Sequence, residues 1–399
     1  MALNSMNAQA PNNRSAELMV DVIIVGVGFA GSALAHALRQ RLPELAIALI
    51  DPQRRYPDAF RAEKIEADQA ELLRELNLLD HRRPCRPALT HIQCQRQGVS
   101  TEESVIEQYG MDYGPTVNQL RSTLPTDLLW LYQKVQSLHP DSRTPSVIMK
   151  DGKRVSGRLL VVATGGNRSN PLLQALGIHQ QEDPHLTSLS FAFELASRQP
   201  LAALTSFAPS RQTGMDLITL FPIGQRQRVN LFTQWPRKDA RIAAFRKQPM
   251  SYLARHLPEF YQALGESEPC TPMAAFPTRY YRLKAPARPG MVIIGDEYQS
   301  VSPATGRGLS KVLTDVKVLA SLVPEWLEQG RIEQADTQGF YLHPEKVRID
   351  EQAHREWQYL AETARYPAWR ATIRRRQRKL KRLLVRGYSV LSARRSLRS

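Results

Sequence analysis

Long apolar runs, a Cys-x-x-Cys spacing and any paired arrangement of cysteines are missing from this 399-residue chain. Its longest apolar stretches, MVDVIIVGVG, LLVVATGG and MVIIG, fall well short of a bilayer-spanning helix. The three cysteines, Cys85, Cys94 and Cys270, offer neither a disulfide framework nor a zinc site. An odd, scattered set fits reduced thiols in a reducing compartment. The nine histidines show no second ligand at helical spacing, so no metal site is expected. No apolar signal core precedes residue 19, which predicts a disordered N-terminus and a cytoplasmic protein. Acidic residues are absent from 365–399, where thirteen Lys and Arg lie. Removing those 13 from the net charge of +16 leaves +3 for residues 1–364, too little for a basic nucleic-acid-binding face.

What is present begins with a nucleotide loop. DVIIVGVGFAGSALAHAL reads as a strand at 20–25, the sequence Gly26-x-Gly28-x-x-Gly31, and a helix over about 29–42. Gly26 permits the tight turn, Gly28 lets a pyrophosphate approach the backbone, and Gly31 lets helix and strand pack closely. The helix N-terminus adds partial positive charge. The next strand, 46–50, ends at Asp51, placed to accept hydrogen bonds from an adenosine ribose. These features point to dinucleotide binding without separating NAD from FAD.

The distinction comes from GDEYQSVSPATGRGLS at 295–310. A short buried strand, MVII, ends at Gly295-Asp296, turns at Pro303 and starts a helix through Gly306 and Gly308, expected over 309–323. FAD needs such a second segment, because its ribityl chain and isoalloxazine ring extend beyond the first loop. Asp296 is placed for ribityl hydroxyls, and the helix start for the pyrimidine edge where negative charge collects on reduction.

With those residues the chain resembles the FAD-dependent monooxygenases of the para-hydroxybenzoate hydroxylase type, whose Gly-Asp, Pro and Gly-x-Gly spacing it keeps. The likeness covers about residues 20–330 and extends to Ala30 within VGVGFAG and to FRAEKIEADQAELLRELNLLD. In the latter, Arg61 stands where the family has an arginine near the cofactor. The resemblance implies an α/β fold: a Rossmann-like FAD-binding domain interrupted by a mixed or antiparallel-sheet substrate domain, with C-terminal helices. The expected division is a disordered 1–18, then an FAD-binding domain of 19–84, 111–175 and 276–330. Residues 85–110 and 176–275 form the substrate domain, 331–365 the C-terminal helices and 366–399 a basic amphipathic tail. The implied activity is hydroxylation of a hydrophobic aromatic, quinone-like or carrier-bound substrate by molecular oxygen, by way of a flavin hydroperoxide. NADPH or NADH supplies the electrons, directly or through a flavin reductase. The catalytic side chains are not assigned, since this chemistry needs no nucleophile–base pair.

Several positions depart from the family. In ATGGNRSNPL, Thr164 replaces the family's acid and Leu172 its arginine, which bears on direct reduction by NADPH. Glu297, Tyr298 and Gln299 replace Ala-Ala-His. The five tryptophans are isolated, so the Trp-x-Trp-x-Ile-Pro segment of related halogenases is missing. Halogenation and a reductase of the geranylgeranyl reductase type are the alternative enzymes, and a membrane-associated flavoprotein scaffold is the non-catalytic one. Tyr280 and Tyr281 either face the substrate or, as is commoner for buried tyrosines, pack between domains. Glu297 acts as a base beside the ring or as a supporting partner, and Arg307 pairs with a phosphate or, more ordinarily, points to solvent. The tail places Ile373, Leu380, Leu383, Leu384 and Val385 partly on one stripe among basic residues. That suits either peripheral contact with the inner membrane face or a disordered or partner-docking tail.

Overall fold

A computed structural model describes residues 17–58, 64–78, 88–96, 99–166, 169–197, 203–210, 213–223 and 225–365. Arg61 and the basic tail lie outside these residues. The centre is a five-stranded parallel sheet in the order β18 (Met291–Ile293), β11 (Leu159–Val162), β2 (Val22–Val25), β3 (Ile47–Ile50) and β7 (Leu129–Leu131). The sequences VIIV, IALI, LLVV and MVI are apolar on both sides because both faces of the sheet are covered; their residues are buried throughout. Helix α1 (Phe29–Arg41) follows β2 and helix α8 (Gly308–Glu328) follows β18, and the two pack on each other. Both helices therefore begin near the carboxyl ends of parallel strands, where open α/β sheets take ligands.

A small antiparallel sheet, joined at one edge by a parallel strand, flanks this unit: β1 (Leu18–Met19), β10 (Arg154–Ser156), β9 (Ser146–Met149) and β8 (Val135–His139). Residues 154–162 form two strands, because at Gly157 the chain leaves this sheet for the parallel one. A Cβ at Gly157 would stand 3.1 Å from Ile23 Cγ1, so the crossing is close.

The third sheet is ten-stranded and mostly antiparallel. It runs β19 (Gln299–Ser300), β17 (Ala274–Lys284), β12 (His179–Ser197), β15 (Arg226–Thr233), β14 (Met215–Ile223), β13 (Ala203–Ser210), β5 (Ala88–Arg96), β6 (Val99–Gly110) and β4 (Lys64–Ile65). The tenth strand, β16 (Ser267–Pro269), pairs with β12. Leu189, Phe191, Phe193 and Leu195 of β12 point to one face and join Trp235, Phe245, Leu253 and Phe260 in an apolar cluster. Helices α5 (Ala240–Lys247), α6 (Pro249–His256) and α7 (Pro258–Leu264) supply the covering layer. The remaining helices are α2 (Ala67–Glu75), α3 (Tyr113–Ser122), α4 (Pro171–Gln174), α9 (Gln334–Leu342) and α10 (Pro344–Arg365). Among the described residues no helix is long and apolar enough to cross a membrane.

Helix α8 runs five residues past its expected end, through Pro324. Trp326 and Leu327 bury against the core beyond the proline, which offsets the backbone bond that proline removes. The same helix anchors a buried ionic network. Lys346 Nζ of α10 lies 2.6 Å from Asp315 of α8 and 3.1 Å from Asp350, one turn along α10. Lys311 of α8 closes the set at 3.2 Å from Asp350. Burial alone would favour loss of the Lys346 proton, but Asp315 and Asp350 outweigh it and hold the ammonium above the usual lysine range. Two cations and two anions balance, so no net charge is stranded in the interior.

Removing one member breaks that balance. Lys346→Met leaves two buried carboxylates to one lysine and is expected to lose about 3–5 kcal/mol of unfolding free energy. Chemical denaturation at neutral pH measures this, and an unchanged midpoint would show that the network holds nothing.

Candidate functional site

The first glycine loop is built by close approach. Gly26 has φ +90°, and a Cβ there would stand 2.6 Å from the Ala163 carbonyl oxygen. A Cβ on Gly31 would meet the Gly26 carbonyl oxygen at 2.1 Å, so both positions require glycine. Gly28 differs: its φ is −73°, and the nearest atom to a Cβ is on the Tyr56 ring at 3.6 Å. Any side chain could adopt this backbone, so glycine here keeps the space above the loop open. Helix α1 starts at this point with no side-chain cap and no acid in its first turn, leaving its first amides and dipole directed outward.

Asp51 closes the βαβ unit. Its Oδ2 accepts from the Val27 N–H at 2.9 Å and its Oδ1 from the Gln53 N–H at 2.8 Å. Arg121 of α3 reaches to 3.2 Å from Oδ2, with its guanidinium 5.4 Å from the centre of the Trp130 ring. A carboxylate retains lone pairs for ribose hydroxyls after accepting these bonds. Arg121 had no sequence signal, because its partner lies three strands and a helix upstream.

The second loop meets the first. Gly295, at φ +68°, would place a Cβ 3.5 Å from that of Ala30. Its N–H donates to Asp315 Oδ2 at 2.8 Å, which ties the loop to the buried ionic network. Asp296 is half-buried, and its carbonyl accepts from the Tyr281 hydroxyl at 2.6 Å. Pro303–Thr305 form a short 3-10 turn that ends at Gly306 in the left-handed conformation, φ +67°. Gln69 of α2 donates to the Gly306 carbonyl at 2.7 Å and to Ser310 Oγ at 3.0 Å. Nothing lies within 4 Å of a Cβ built on Gly308, and α8 begins there without a side-chain cap or a first-turn acid. Two outward-facing helix starts, joined through Ala30 and Gly295, thus bracket one region.

Arg307 corrects its expected place in solvent. It is half-buried, with Nε 3.0 Å from Glu356 of α10 and Nη1 3.2 Å from Asp68 of α2. It clamps the turn between two helices, a role that requires tertiary neighbours to read. The tyrosines take the packing role. Tyr280 stacks on His354 at 4.3 Å between ring centres and meets Trp357 edge-on, while Tyr281 is spent on the Asp296 carbonyl.

Glu297 is almost fully buried and directed at the segment after β11. The Thr164 hydroxyl donates to its Oε2, and Asn170 also bonds it. A carboxyl group therefore stands against position 164 although the residue there is threonine. Burial pushes this carboxyl above the usual glutamate range, the Thr164 and Asn170 bonds oppose it, and nearby Asp296 adds to it. The group thus holds its proton to higher pH than an ordinary glutamate does. Among the described residues no cluster of His, Cys, Asp and Glu could hold a metal.

The profile of the family described as Lycopene cyclase protein matches residues 21–388. Solved structures share the fold over most of their length. The flavin-dependent brominase Bmp2 is 14% identical, with 91% of this chain and 99% of that one covered at a TM-score of 0.66. PqsL from Pseudomonas aeruginosa, described as "a probable FAD-dependent monooxygenase", is 20% identical, with 87% and 98% covered at 0.68. Halogenase PltM, solved with phloroglucinol and FAD, is 13% identical, with 86% and 76% covered at 0.67. At these identities the likeness is one of fold. The α/β architecture with a Rossmann-like unit, mixed and antiparallel sheets and C-terminal helices is that of these flavoproteins. The likeness is to this flavoprotein fold at large and does not single out the para-hydroxybenzoate hydroxylase type within it.

The raised Glu297 carboxyl gives a test with a defined sign. The folded state holds this proton to higher pH than the unfolded chain does, so its contribution is complete below the ordinary glutamate range. It then drains away as pH rises through that range to the folded value. Thermal melts of Glu297→Gln against the unaltered protein, from about pH 4 to pH 8, should show the variant gaining relative stability as pH rises and then levelling. A constant or opposite difference would mean that Glu297 is ionised in the fold.

Proposed function

The chain belongs to the lycopene cyclase protein family, and from its fold and its two glycine loops we propose an FAD-dependent oxidoreductase acting on a hydrophobic organic substrate. The observation that carries this reading is the contact of two glycine loops, at Ala30 and Gly295, between two uncapped helix starts. A single dinucleotide that ends in a long ring system accounts for both loops, whereas a short one leaves the second unused.

In this reading Gly26, Gly28, Ala30 and Gly31 carry the pyrophosphate on the α1 amides, and Asp51 accepts from the adenosine ribose. Gly295 and Asp296 take the ribityl chain. Pro303, Gly306 and Gly308 present the α8 start to the pyrimidine edge of the ring, with Arg307 and Gln69 bracing the turn. Arg61, outside the described residues, keeps the role near the cofactor that the resemblance implies. Bound FAD would supply electron transfer and oxygen chemistry. The protein's own residues orient it and keep water from the ring. NADH or NADPH provides electrons, directly or through a flavin reductase.

The transformation itself is the finer question. Likeness to Bmp2 and PltM favours halogenation as the first reaction to test, with hydroxylation beside it. The family description adds a third outcome, isomerisation of a polyene with no change in composition. A reductase of the geranylgeranyl reductase type would add two hydrogens.

Two experiments test the reading. Gly28→Val should fold with a melting temperature near that of the unaltered cofactor-free protein, because its backbone accepts a side chain. It should lose flavin affinity at least about tenfold, because that side chain occupies the approach to α1. Desalting after incubation with FAD, followed by visible absorption, reads the result, and a variant that keeps its flavin overturns the assignment. Mass spectrometry of product formed with reductant, oxygen and bromide then separates bromine for hydrogen, one added oxygen, two added hydrogens and an unchanged formula.

A further inference from the structure

The ten-stranded sheet has one apolar face under α5–α7; its opposite face is mixed, with Ile92, Cys94, Ala203, Phe221 and Ile223 clustered toward β5 and buried polar residues along β12 and β15. Along β12 the residues alternating with the apolar set are Ser188, Ser190, Ala192 and Glu194. Along β15, Val229 and Leu231 join the apolar cluster, leaving Arg228, Asn230 and Phe232 on the other side. The register pairs Ser190 with Phe232, Ala192 with Asn230 and Glu194 with Arg228. Ser190 and Asn230 are therefore diagonal neighbours on one face, with the small Ala192 beside them.

This row starts beside the second glycine loop and ends at a buried carboxylate shared by Arg226 and Arg228. Ser188 Oγ lies 3.5 Å from Ser302 Oγ, next to Pro303. At the other end Arg228 donates to Glu194 at 2.8 Å with both side chains buried. Helix α10 packs against β12, β13, β14 and the Pro303–Thr305 turn. Its Trp357 sits with Leu186, Tyr280 and Val301.

The whole row is removed from solvent, with Ser190 5% and Asn230 3% exposed. Even so, Ser190 Oγ and Asn230 Nδ2 have no hydrogen-bond partner, and neither does the fully buried Trp357 Nε1. Buried polar groups in folded proteins are ordinarily bonded, so open ones beside a site call for a partner that the chain itself does not supply. An amide nitrogen and an indole nitrogen only donate, and a hydroxyl can donate. The complementary ligand atom is an acceptor. Ser190 and Asn230 are uncharged donors, and both arginines beyond them, Arg226 and Arg228, are engaged by Glu194.

We infer that Ser190 and Asn230 form a recognition subsite for a neutral acceptor oxygen, so that the substrate is a hydrophobic ketone, quinone or phenol rather than an unfunctionalised polyene. This rests on the oxidoreductase reading for placing substrate over this face, and it narrows the substrate class of that reading. A purely hydrocarbon chain would leave these donors unbonded in the complex, whereas a carbonyl accepts from both.

Propiophenone and propylbenzene share a carbon skeleton and differ only in a carbonyl in place of a methylene. Calorimetric titration of the FAD-loaded protein should show propiophenone binding at least about tenfold more tightly. Asn230→Leu and Ser190→Ala should bring the two compounds to similar affinity while leaving propylbenzene binding and flavin content unchanged. Equal affinities in the unaltered protein, a preference that survives Asn230→Leu, or binding of neither compound would overturn the subsite. Thermal melts without ligand give an independent reading. Asn230→Leu should be as stable as the unaltered protein or more so, since an open buried amide is removed. A clear drop would mean that the amide is bonded within the fold, through a buried water for example, and would also overturn the proposal. Colourless protein after FAD loading would count against the oxidoreductase reading, and the ligand preference could still be measured on it.

Discussion

The buried exchange among Lys311, Asp315, Lys346 and Asp350 is the constraint on which the site depends. Asp315 has two tasks at once: one oxygen holds Lys346 and the other accepts the Gly295 N–H. Lys311 bonds the Gln299 carbonyl at 3.3 Å, and Gln299 in turn reaches the Asp350 carbonyl at 3.2 Å. Lys346 also lies 4.1 Å from the centre of the Tyr298 ring. The segment from Gly295 to Gln299 is thus set by charges on two helices, and its backbone cannot shift without exposing an ion to an apolar interior. Such a network is poor evidence for stability, since apolar residues can fill the same volume as well. Its value here is positional, because it fixes where one loop stands.

From that fixed segment the rest of the site is positioned by contact. Gly295 against Ala30 registers the second loop on the first. Gln69 and Arg307 register the Pro303 turn on α2 and α10. Ser302 beside Ser188 registers it on the large sheet. Each link joins elements far apart in the chain, so the space between the two helix starts is bounded by parts of the whole molecule. Pre-organisation of this kind lets backbone amides and dipoles act without reorganising when a ligand arrives.

Much of the fold was legible because its signals are local. VIIV and LLVV announce strands buried on both faces, and Gly26, Gly28 and Gly31 announce the loop through steric demands acting over a few residues. The spacing of Asp296, Pro303, Gly306 and Gly308 is equally compact. The misreadings have the opposite character. Arg307 reads as a loop cation until Glu356 and Asp68 are brought beside it. The spacing of Lys346 and Asp350, one helical turn apart, says nothing of burial, and only packing against α8 makes them interior. Arg121 becomes visible only once α3 lies along Asp51.

By itself, then, the sequence determined the parallel βαβ opening and the two glycine loops. Those features follow from backbone sterics and from the periods of helix and strand, which act within a few residues. The tertiary structure decided which charges are buried, which carboxyl holds its proton to higher pH and which polar groups on the sheet stay open. These depend on desolvation and on partners from distant segments. That is also why motif spacing identified a flavoprotein-like fold but not its reaction: close backbone packing is a matter of short segments, whereas the chemistry resides in side chains assembled only when the chain closes.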